Sequence, residues 1–503
     1  MARQQLLPLF ICLSFFAAIT GTLIAQDSDF EREAGIVSAY SSKTITLNKS
    51  TIDTLLNSPL TLDDCVAISL KNNLLLQIDR LEYNRVYFDT YGSKQNYYPE
   101  IGLSAERNLE TEIDSLGNDS AETTSDQLDL SLIQKMPMGG SISFSHQLAR
   151  STDNVGRGSD EPGKLWTIAF SQPLLQGFGY DLAYSDVKQA DLGFQIEQYR
   201  LKSAILETIF SVKEAYFNVL RLNKLVASTE AAIERDNQLI RISEAKVEAK
   251  LATRRDILSA EIILQQDYAE LVQNQADLQN AYDELKNTMG VAFEKEIQLA
   301  LNVLEYRPIP IDETYWLEVA QKNNTDIQLV EATLQLNAFQ SKIAKNSRLP
   351  NLAIEGSLSR LYDGDPQDNR NRDLTGRVVL SYPLFNFGAR AEYQQSVIAE
   401  RQTERVLENT RRVTLLNVRS AIRNLRNGNE RLKILLKSID AAREKVVFAT
   451  SMFNMGRASN QDITDAQEDL LDAEVDYAEE LSSYYIEQAR LEQLLGGFNI
   501  SNQ

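Results

Sequence analysis

The chain contains one unit twice, and this repeat limits the folds available to it more than any other feature. The run Lys-Asn-Asn at 71–73 recurs at 322–324, and the proline that ends the next helical segment, Pro99 or Pro350, recurs at the same spacing of 251 residues. Later landmarks recur at a spacing of 206 residues, as between Asp256 and Asp462. We interpret the pattern as a tandem duplication, in which both copies form the same supersecondary unit.

Two long helical segments, at about 183–249 and 389–455, carry matching hydrophobic seams. Spacings that alternate between three and four residues are typical of a helix packed nearly parallel to its neighbours. The seam residues are Leu415, Val418, Ile422, Leu425, Asn429, Leu432, Leu436 and Ile439 in one copy, and Ile209, Val212, Tyr216, Val219, Asn223 and Val226 in the other. The seam asparagines either fix the register or face water. Each segment spans roughly 100 Å at about 1.5 Å per residue, which suits a bundle that crosses a space.

Between the helical segments the hydrophobic period changes from 3.6 to 2, which predicts strands within 100–173 and within 351–383. One apolar and one polar face over about ten residues is typical of a transmembrane strand, although a sheet on a soluble core gives the same pattern. The first copy has a surplus hairpin, 128–148. If the strands form a membrane barrel, this hairpin either joins the barrel, folds over its mouth or lies against its outer rim. Because four or six strands cannot enclose a wide lumen, several chains must share one barrel. We expect polar outward loops at 110–126 and 362–372.

The first 25 residues have the pattern of a cleaved signal peptide, with Arg3 before an apolar run and Ala25 at the cleavage point. No later apolar run reaches the roughly 18 residues that a membrane helix needs. The mature chain then retains only Cys65, so it has no intramolecular disulfide. A formal net charge of −20 disfavours nucleic acid as a partner.

Residues that would support catalysis are sparse. The only histidine, His146, alternates with serines in a predicted strand, and neither a Cys/His cluster nor a phosphate-binding glycine loop is present. We therefore expect no enzymatic activity, no cofactor and no metal site.

The order of these motifs resembles the TolC family of outer-membrane efflux proteins. The resemblance rests on the opening phrase at 62–73, on the Gly-to-Asp-x-x-Asp-Ala run at 456–466, and on four prolines at helix–strand junctions. Those junction prolines are Pro99, Pro173, Pro350 and Pro383. The chain departs from the family at Lys250, where glycine is common, and in its extra hairpin.

This resemblance implies a mainly α fold with a membrane β-barrel portion, in which duplicated long-helix hairpins form a trimeric α-barrel tunnel joined to a shared outer-membrane barrel. It implies a homotrimer in outer-membrane lipid with a large periplasmic portion. The implied partners are a periplasmic adaptor (membrane fusion) protein and an inner-membrane pump of the RND or ABC type. The implied function is passive conduction in a tripartite efflux pump or a type I secretion system. The alternative is a secreted coiled-coil tether or scaffold without channel activity.

We divide the chain accordingly into six segments. They are a signal peptide at 1–25, an N-terminal extension at 26–60, a first repeat at 61–290, a linker or equatorial segment at 291–311, a second repeat at 312–497 and a tail at 498–503.

The periplasmic end of the tunnel provides the candidate sites. By resemblance, the adaptor docks on the tip residues Ala252, Thr253, Asp256, Gly456, Ala458 and Ser459. Asp462 and Asp465 are spaced by three, so both project from one helix face, and we predict that they form stacked carboxylate rings at a periplasmic gate. The alternative is that they only favour the helix N-terminus through its dipole. The first copy has Ser259 in place of the second aspartate.

Overall fold

A computed structural model describes residues 55–113, 119–153, 159–248, 253–300, 306–310, 312–362, 372–455 and 457–498. The predicted signal peptide and most of the N-terminal extension lie outside the described residues, as do Lys250, Ala252 and Gly456. Among the described residues, no helix combines the length and the apolar character that crossing a bilayer requires.

Both copies have the same order of elements: two shorter helices, strands, one very long helix and a second long helix. In the first copy the helices are α1 (Leu62–Asn72), α2 (Leu74–Ser93), α3 (Ser185–Glu248) and α4 (Arg254–Met289). In the second copy they are α5 (Glu313–Asn323), α6 (Thr325–Asn346), α7 (Phe387–Asn454) and α8 (Asn460–Leu494). The predicted long segments are thus α3 and α7, within a few residues at each end.

Each first helical segment is broken where the sequence pattern suggested one continuous helix. The breaks fall at Asn73 and Asn324, the last residues of the repeated Lys-Asn-Asn runs. The Asn324 side chain accepts the backbone N–H groups of Asp326 and Ile327, both at 3.1 Å. Asn73 accepts that of Leu76 at 2.9 Å. Each asparagine therefore caps a new helix, because its side chain satisfies donors that the first turn leaves open.

The predicted seams largely match the buried positions of α3 and α7. Val212, Val219, Val418, Ile422, Leu425 and Leu432 are all fully buried. Leu436 is an exception at 40% exposed in the single chain. The two seam asparagines differ: Asn223 donates to the Tyr282 hydroxyl at 3.2 Å, whereas Asn429 Oδ1 has no partner among the described residues.

The strands form one six-stranded antiparallel sheet in sequential order. The strands are β1 (Glu100–Ile113), β2 (Asp119–Lys135), β3 (Ser141–Asp153), β4 (Ser159–Pro173), β5 (Asn351–Tyr362) and β6 (Arg372–Ser381). The surplus hairpin supplies β2 and β3, between the strands that both copies share. The predicted loop at 110–126 was too long, because β1 and β2 remain paired as far as Glu112 and Ala121. Threonines and an Arg107–Asp126 ion pair join the two strands there, so polar composition was a poor marker of the loop.

The turn between β2 and β3 needs glycine at position 139. Gly139 has φ +89°, and a Cβ placed there would lie 2.2 Å from the carbonyl oxygen of Gly177. An L side chain would therefore suffer both backbone strain and a clash. This turn lies at the end of the sheet from which the helices leave, which we call the helix end, while the strand ends joined by 114–118, 154–158 and 363–371 lie at the opposite end, the loop end.

The described residues divide into two compact units. Unit 1 comprises the described parts of Met1–Ile78, Lys202–Leu317 and Asn417–Gln503. Its largest core joins the segment around α1 to α3 and α4 through Ile68, Val212, Val219, Leu285 and Met289. Unit 2 comprises Asp79–Leu201 and Glu318–Leu416, again as described, and it contains the whole sheet.

Within unit 1, the end of α4 is locked against the end of α1. The side chains of Ser69 and Asn73 both donate to the carbonyl oxygen of Thr288 at 2.8 Å. Gly290 then reverses the chain with φ +66°, and Val291 N–H returns to the carbonyl of Lys286. This left-handed glycine ends the helix in the usual C-terminal manner. The first Lys-Asn-Asn run and the glycine that ends α4 therefore meet at one structural junction.

Candidate entrance and membrane-facing sheet

The four longest helices of the chain meet in a small apolar core near the α3–α4 and α7–α8 connections, which we call the tip cluster. Its buried members are Leu239, Ala260, Ala449, Phe453, Ile463 and Ala466. Lys246 of α3 adds a polar link across it, because its Nζ donates to the Phe453 carbonyl at 2.6 Å. Burial lowers the pKa of Lys246. This contact could not be predicted from the sequence, since no local pattern marks a lysine that donates to a carbonyl 207 positions away.

Asp462 has a capping role that its spacing from Asp465 did not reveal. Its carboxylate accepts the backbone N–H and the Oγ–H of Ser459, both at 2.7 Å, while Ser459 Oγ accepts the Asp462 N–H. Ser459 and Asp462 thus form a reciprocal capping box at the start of α8. These hydrogen bonds stabilise the carboxylate and lower the pKa of Asp462.

Asp462 and Asp465 nevertheless share the exposed face of α8. The opposite face carries Ile463 and Ala466 of the tip cluster. Asp465 is held by Gln461, whose side-chain amide donates to it at 2.6 Å. Two carboxylate side chains therefore lie one turn apart on a surface that the single chain leaves open.

The predicted docking residues are described only in part. Thr253 and Ser459 are exposed and Ala458 is half-buried. Asp256 lies in the first turn of α4, and its side chain, like Ala252 and Gly456, lies outside what the structure describes.

Salt bridges between α7 and α8 are a second feature that sequence reasoning missed. Arg431 contacts Glu480 at 3.0 Å, Arg443 contacts Glu474 at 3.4 Å, and Lys445 pairs with Asp469. The two partners of a pair lie closer together in the sequence when the pair is nearer the α7–α8 connection, as antiparallel helices require. The α7–α8 turn fixes this register, so the pairs become recognisable only once the turn is known.

A buried carboxyl pair joins α3 to α4. Asp236 is only 5% exposed and shares a side-chain hydrogen bond with Asp267. Burial, this hydrogen bond and the charge of Asp267 raise the pKa of Asp236 to about 7, against a smaller opposing effect of Arg235. Burial therefore contributes most to keeping a proton on Asp236, because it disfavours the charged form of the carboxyl group.

All four predicted junction prolines lie where strands meet the helical parts of unit 2. Pro99 and Pro350 immediately precede β1 and β5, Pro173 ends β4, and Pro383 follows β6 by two residues. Proline lacks a backbone donor, so these margins of a sheet tolerate it.

The sheet has one apolar and one polar face, as the alternation predicted. On the apolar face, Leu103 pairs with Leu130, Phe144 with Ile168, and Leu358 with Leu374. Leu374 is 83% exposed, so this face is uncovered in the single chain. His146 lies on this face between Leu130 and Trp166, in keeping with a position on the barrel wall. Within the described residues, no group of three or more His, Cys, Asp or Glu could hold a metal ion.

Known proteins share this organisation. The family model described as "Outer membrane efflux protein" matches residues 316–497. "Outer membrane protein TolC" of Vibrio cholerae is 23% identical over 377 residues, which are 71% of this chain and 80% of the relative. "Proteases secretion protein PrtF" of Dickeya chrysanthemi is 22% identical over 66% of this chain and 72% of its own length.

A solved structure extends the similarity to the fold. The crystal structure of the Campylobacter jejuni CmeC outer membrane channel superposes with a TM-score of 0.67, covering 88% of this chain and 87% of that one at 16% identity. The similarity in fold therefore agrees with the sequence matches. In sequence over its second repeat, and in fold over most of its length, the chain is therefore similar to outer-membrane efflux proteins and to the outer-membrane channels related to TolC.

Proposed function

We propose that three copies of this chain form one conduit, in which their sheets close a single barrel and their helix hairpins form a continuous periplasmic tunnel. The observation that carries this proposal is the open sheet. Among the described residues, β1 and β6 each pair with one neighbour only. Unpaired backbone donors and acceptors are costly in lipid, so these edges need partners.

The number of strands supports a wide shared barrel. Three copies of the six-stranded sheet give 18 strands. Barrels of about this size enclose an aqueous channel, whereas about eight strands leave room only for side chains. The polar face supplies a suitable lining, with Ser104, Ser145 and Thr375 among its members.

Disulfide trapping between sheet edges tests the assembly. Ser104→Cys in β1 is combined in turn with Thr375→Cys, Arg377→Cys or Val379→Cys in β6, and the protein is oxidised in detergent. At least one pair should give a covalent trimer on a non-reducing gel. Ser104→Cys with Ser145→Cys in the central strand β3 is the matched control and should give monomer. If every edge pair also remains monomeric, the shared barrel is wrong.

The tip of unit 1 is proposed as the docking surface for a periplasmic adaptor, which couples the conduit to an inner-membrane pump of the RND or ABC type. Exposed Thr253 and half-buried Ala458 lie beside the helix connections, where a partner has access. A photo-reactive side chain at position 253 should crosslink to a co-expressed adaptor, whereas the same group at exposed Lys437 on α7 should not. Equal crosslinking at both positions would count against a docking site at the tip.

We further propose that Asp462 and Asp465 form the cation-attracting gate of this conduit. Because Asp462 also caps α8, replacement by alanine would remove charge and cap together. Asp462→Asn with Asp465→Asn removes both charges but retains an acceptor for Ser459, since asparagine caps helices about as well as aspartate. Ser459→Ala is the complementary control, because it weakens the cap and retains both charges.

Single-channel recording separates the two roles. The double asparagine variant should lose cation preference and block by multivalent cations, while Ser459→Ala should keep both. If the asparagine variant keeps its selectivity and block, the aspartates are helix-capping residues without a gating role.

A further inference from the structure

Charged side chains are sorted between the two faces of the sheet. The apolar face carries five described basic side chains, which we call the basic belt: Arg107, Arg150, Lys164, Arg360 and Arg372. The only described acidic side chain on that face is Asp126, which is ion-paired with Arg107. The polar face has the opposite balance, with acidic Glu100, Glu106, Glu110, Asp129, Glu355 and Asp373 against basic Lys135 and Arg377. In a chain with 71 acidic and 51 basic residues, this excess of cations needs a local cause.

The basic belt is continuous across the sheet. Arg107 and Arg150 both pair with Asp126, on either side of β2. Lys164 pairs with Leu148, which lies two residues nearer the helix end than Arg150. Arg360 pairs with Trp166 and with Arg372. Because Trp166 follows Lys164 by two residues, these two arginines lie two residues nearer the helix end than Lys164 does. Directly paired residues project from the same face, so the five cations form one inclined row.

The lower margin of the apolar band is inclined in the same direction. The last apolar residue before the helix end is Leu132 in β2, Phe170 in β4 and Leu352 in β5. When the strands are compared by their paired residues, each of these positions lies nearer the helix end than the one before it. Strands of membrane barrels tilt by about 35–45°, so a level membrane boundary crosses such rows obliquely. The basic belt therefore follows the loop-end boundary of the apolar band, and its distance from the helix-end boundary stays nearly constant.

The height of the band places the belt among lipid headgroups. In β6, Arg372 and Tyr382 bound the apolar run at its two ends. Ten residues at about 3.3 Å each, tilted by about 40°, rise about 25 Å, which is the usual height of the apolar band of such barrels. The belt lies at the loop end of the strands. In an outer-membrane channel with periplasmic helices, this end meets the outer leaflet.

We infer that the basic belt binds anionic, phosphate-bearing lipid headgroups of the outer leaflet. Arginine and lysine suit this role because arginine offers a fork of donors to phosphate oxygens, and both side chains extend apolar stems along the band. A depression of about 410 Å³ between Arg107 and Arg150, lined also by Leu128 and Leu148, gives a headgroup apolar contact beside the belt, while the Asp126 and Glu106 carboxylates in the same depression offset part of its positive charge. The inference rests on the proposed function, since it requires the apolar face to meet lipid.

Tryptophan quenching provides a direct test. Trp166 lies beside the belt, whereas the second tryptophan, Trp316, is only 1% exposed in unit 1. The intact trimer is reconstituted with brominated phosphatidylcholine, brominated phosphatidylglycerol or mixtures, and the relative affinity of lipid beside Trp166 is read from quenching. The wild type should prefer the anionic lipid by about fivefold. Lys164→Gln with Arg372→Gln should bring this preference close to unity.

The polar face offers a matched control with the same loss of one lysine and one arginine. Lys135→Gln with Arg377→Gln should keep the wild-type preference. Quenching by both lipids without preference, or equal loss of preference in both double variants, would overturn the inference and leave the channel proposal intact. Absence of quenching by either lipid would overturn the channel proposal and this inference with it.

Discussion

Replacing Gly290 by alanine tests the junction between the ends of α1 and α4 in unit 1. Gly290 has φ +66°, a left-handed conformation that costs an L side chain roughly 1–2 kcal/mol. An added Cβ would also lie 2.3 Å from the carbonyl oxygen of Asn72 and 2.7 Å from its carbon. Both atoms are backbone, so α1 and α4 would have to separate.

That separation would strain two hydrogen bonds. Ser69 and Asn73 both donate to the Thr288 carbonyl at 2.8 Å, and each such bond contributes about 0.5–1.5 kcal/mol. With the backbone strain, we expect Gly290→Ala to lower the free energy of unfolding by about 2–5 kcal/mol. Gly193→Ala in α3 is the control, because an added Cβ there meets no described atom within 4 Å outside its own helix. It should stabilise the protein by about 0.5–1 kcal/mol.

The assay is denaturant unfolding followed by the fluorescence of Trp316, which is buried in the same unit as Gly290, and by helical circular dichroism for the Gly193→Ala control, which lies in unit 2. Trp166→Phe removes the only other tryptophan from the signal. A Gly290→Ala protein that unfolds at the same denaturant concentration as the wild type would refute the description of this junction.

Three further predictions concern buried polar groups of unit 1. Because the pKa of Asp236 is raised to about 7, its proton contributes stability that is complete below its unfolded value near 3.8 and is lost as pH rises through 7. Asp236→Asn should therefore flatten the dependence of Tm on pH between 4 and 8, and an unchanged profile would contradict the shift. Asn429→Leu should raise the free energy of unfolding by about 1 kcal/mol, because it removes an oxygen without a hydrogen-bond partner among the described residues. Asn223→Leu should lower it, because it breaks the hydrogen bond to Tyr282. Chemical denaturation in which both variants shift the free energy of unfolding in the same direction would contradict this contrast. Burial raises the pKa of Cys65 to about 12, so maleimide should label it at pH 8 only after denaturation, and rapid native labelling would show that the site is open.

Periodicity and repetition predicted the fold because both depend on spacing along the chain. The seam of α7 and the alternation in β5 are visible in any window of about ten residues. The capping asparagines were harder to recognise, since Asn73 and Asn324 sit inside otherwise helical patterns and only their side-chain hydrogen bonds show where one helix ends. The loop at 110–126 was misjudged for a related reason: polar residues in β1 and β2 reflect exposure, which paired strands and loops share.

Contacts between distant positions explain what the sequence analysis missed at the candidate site. The capping role of Asp462 follows from the Ser-x-x-Asp spacing at 459–462, whereas the spacing between Asp462 and Asp465 indicates only a shared helix face. The Asp236–Asp267 pair and the Lys246–Phe453 contact depend on the register between α3 and its neighbours, which no local motif specifies. The basic belt depends on the register between strands. Its members are scattered from position 107 to position 372 and align only when all six strands are paired.

Single-channel recording of the purified wild-type protein in a planar bilayer tests the central claim most directly. A shared barrel that encloses an aqueous lumen should produce discrete, long-lived current steps of uniform size, and the same preparation should run as a trimer in native mass measurement. A preparation that keeps its helical circular dichroism, remains monomeric and produces no current steps would contradict the claim that this chain forms a channel.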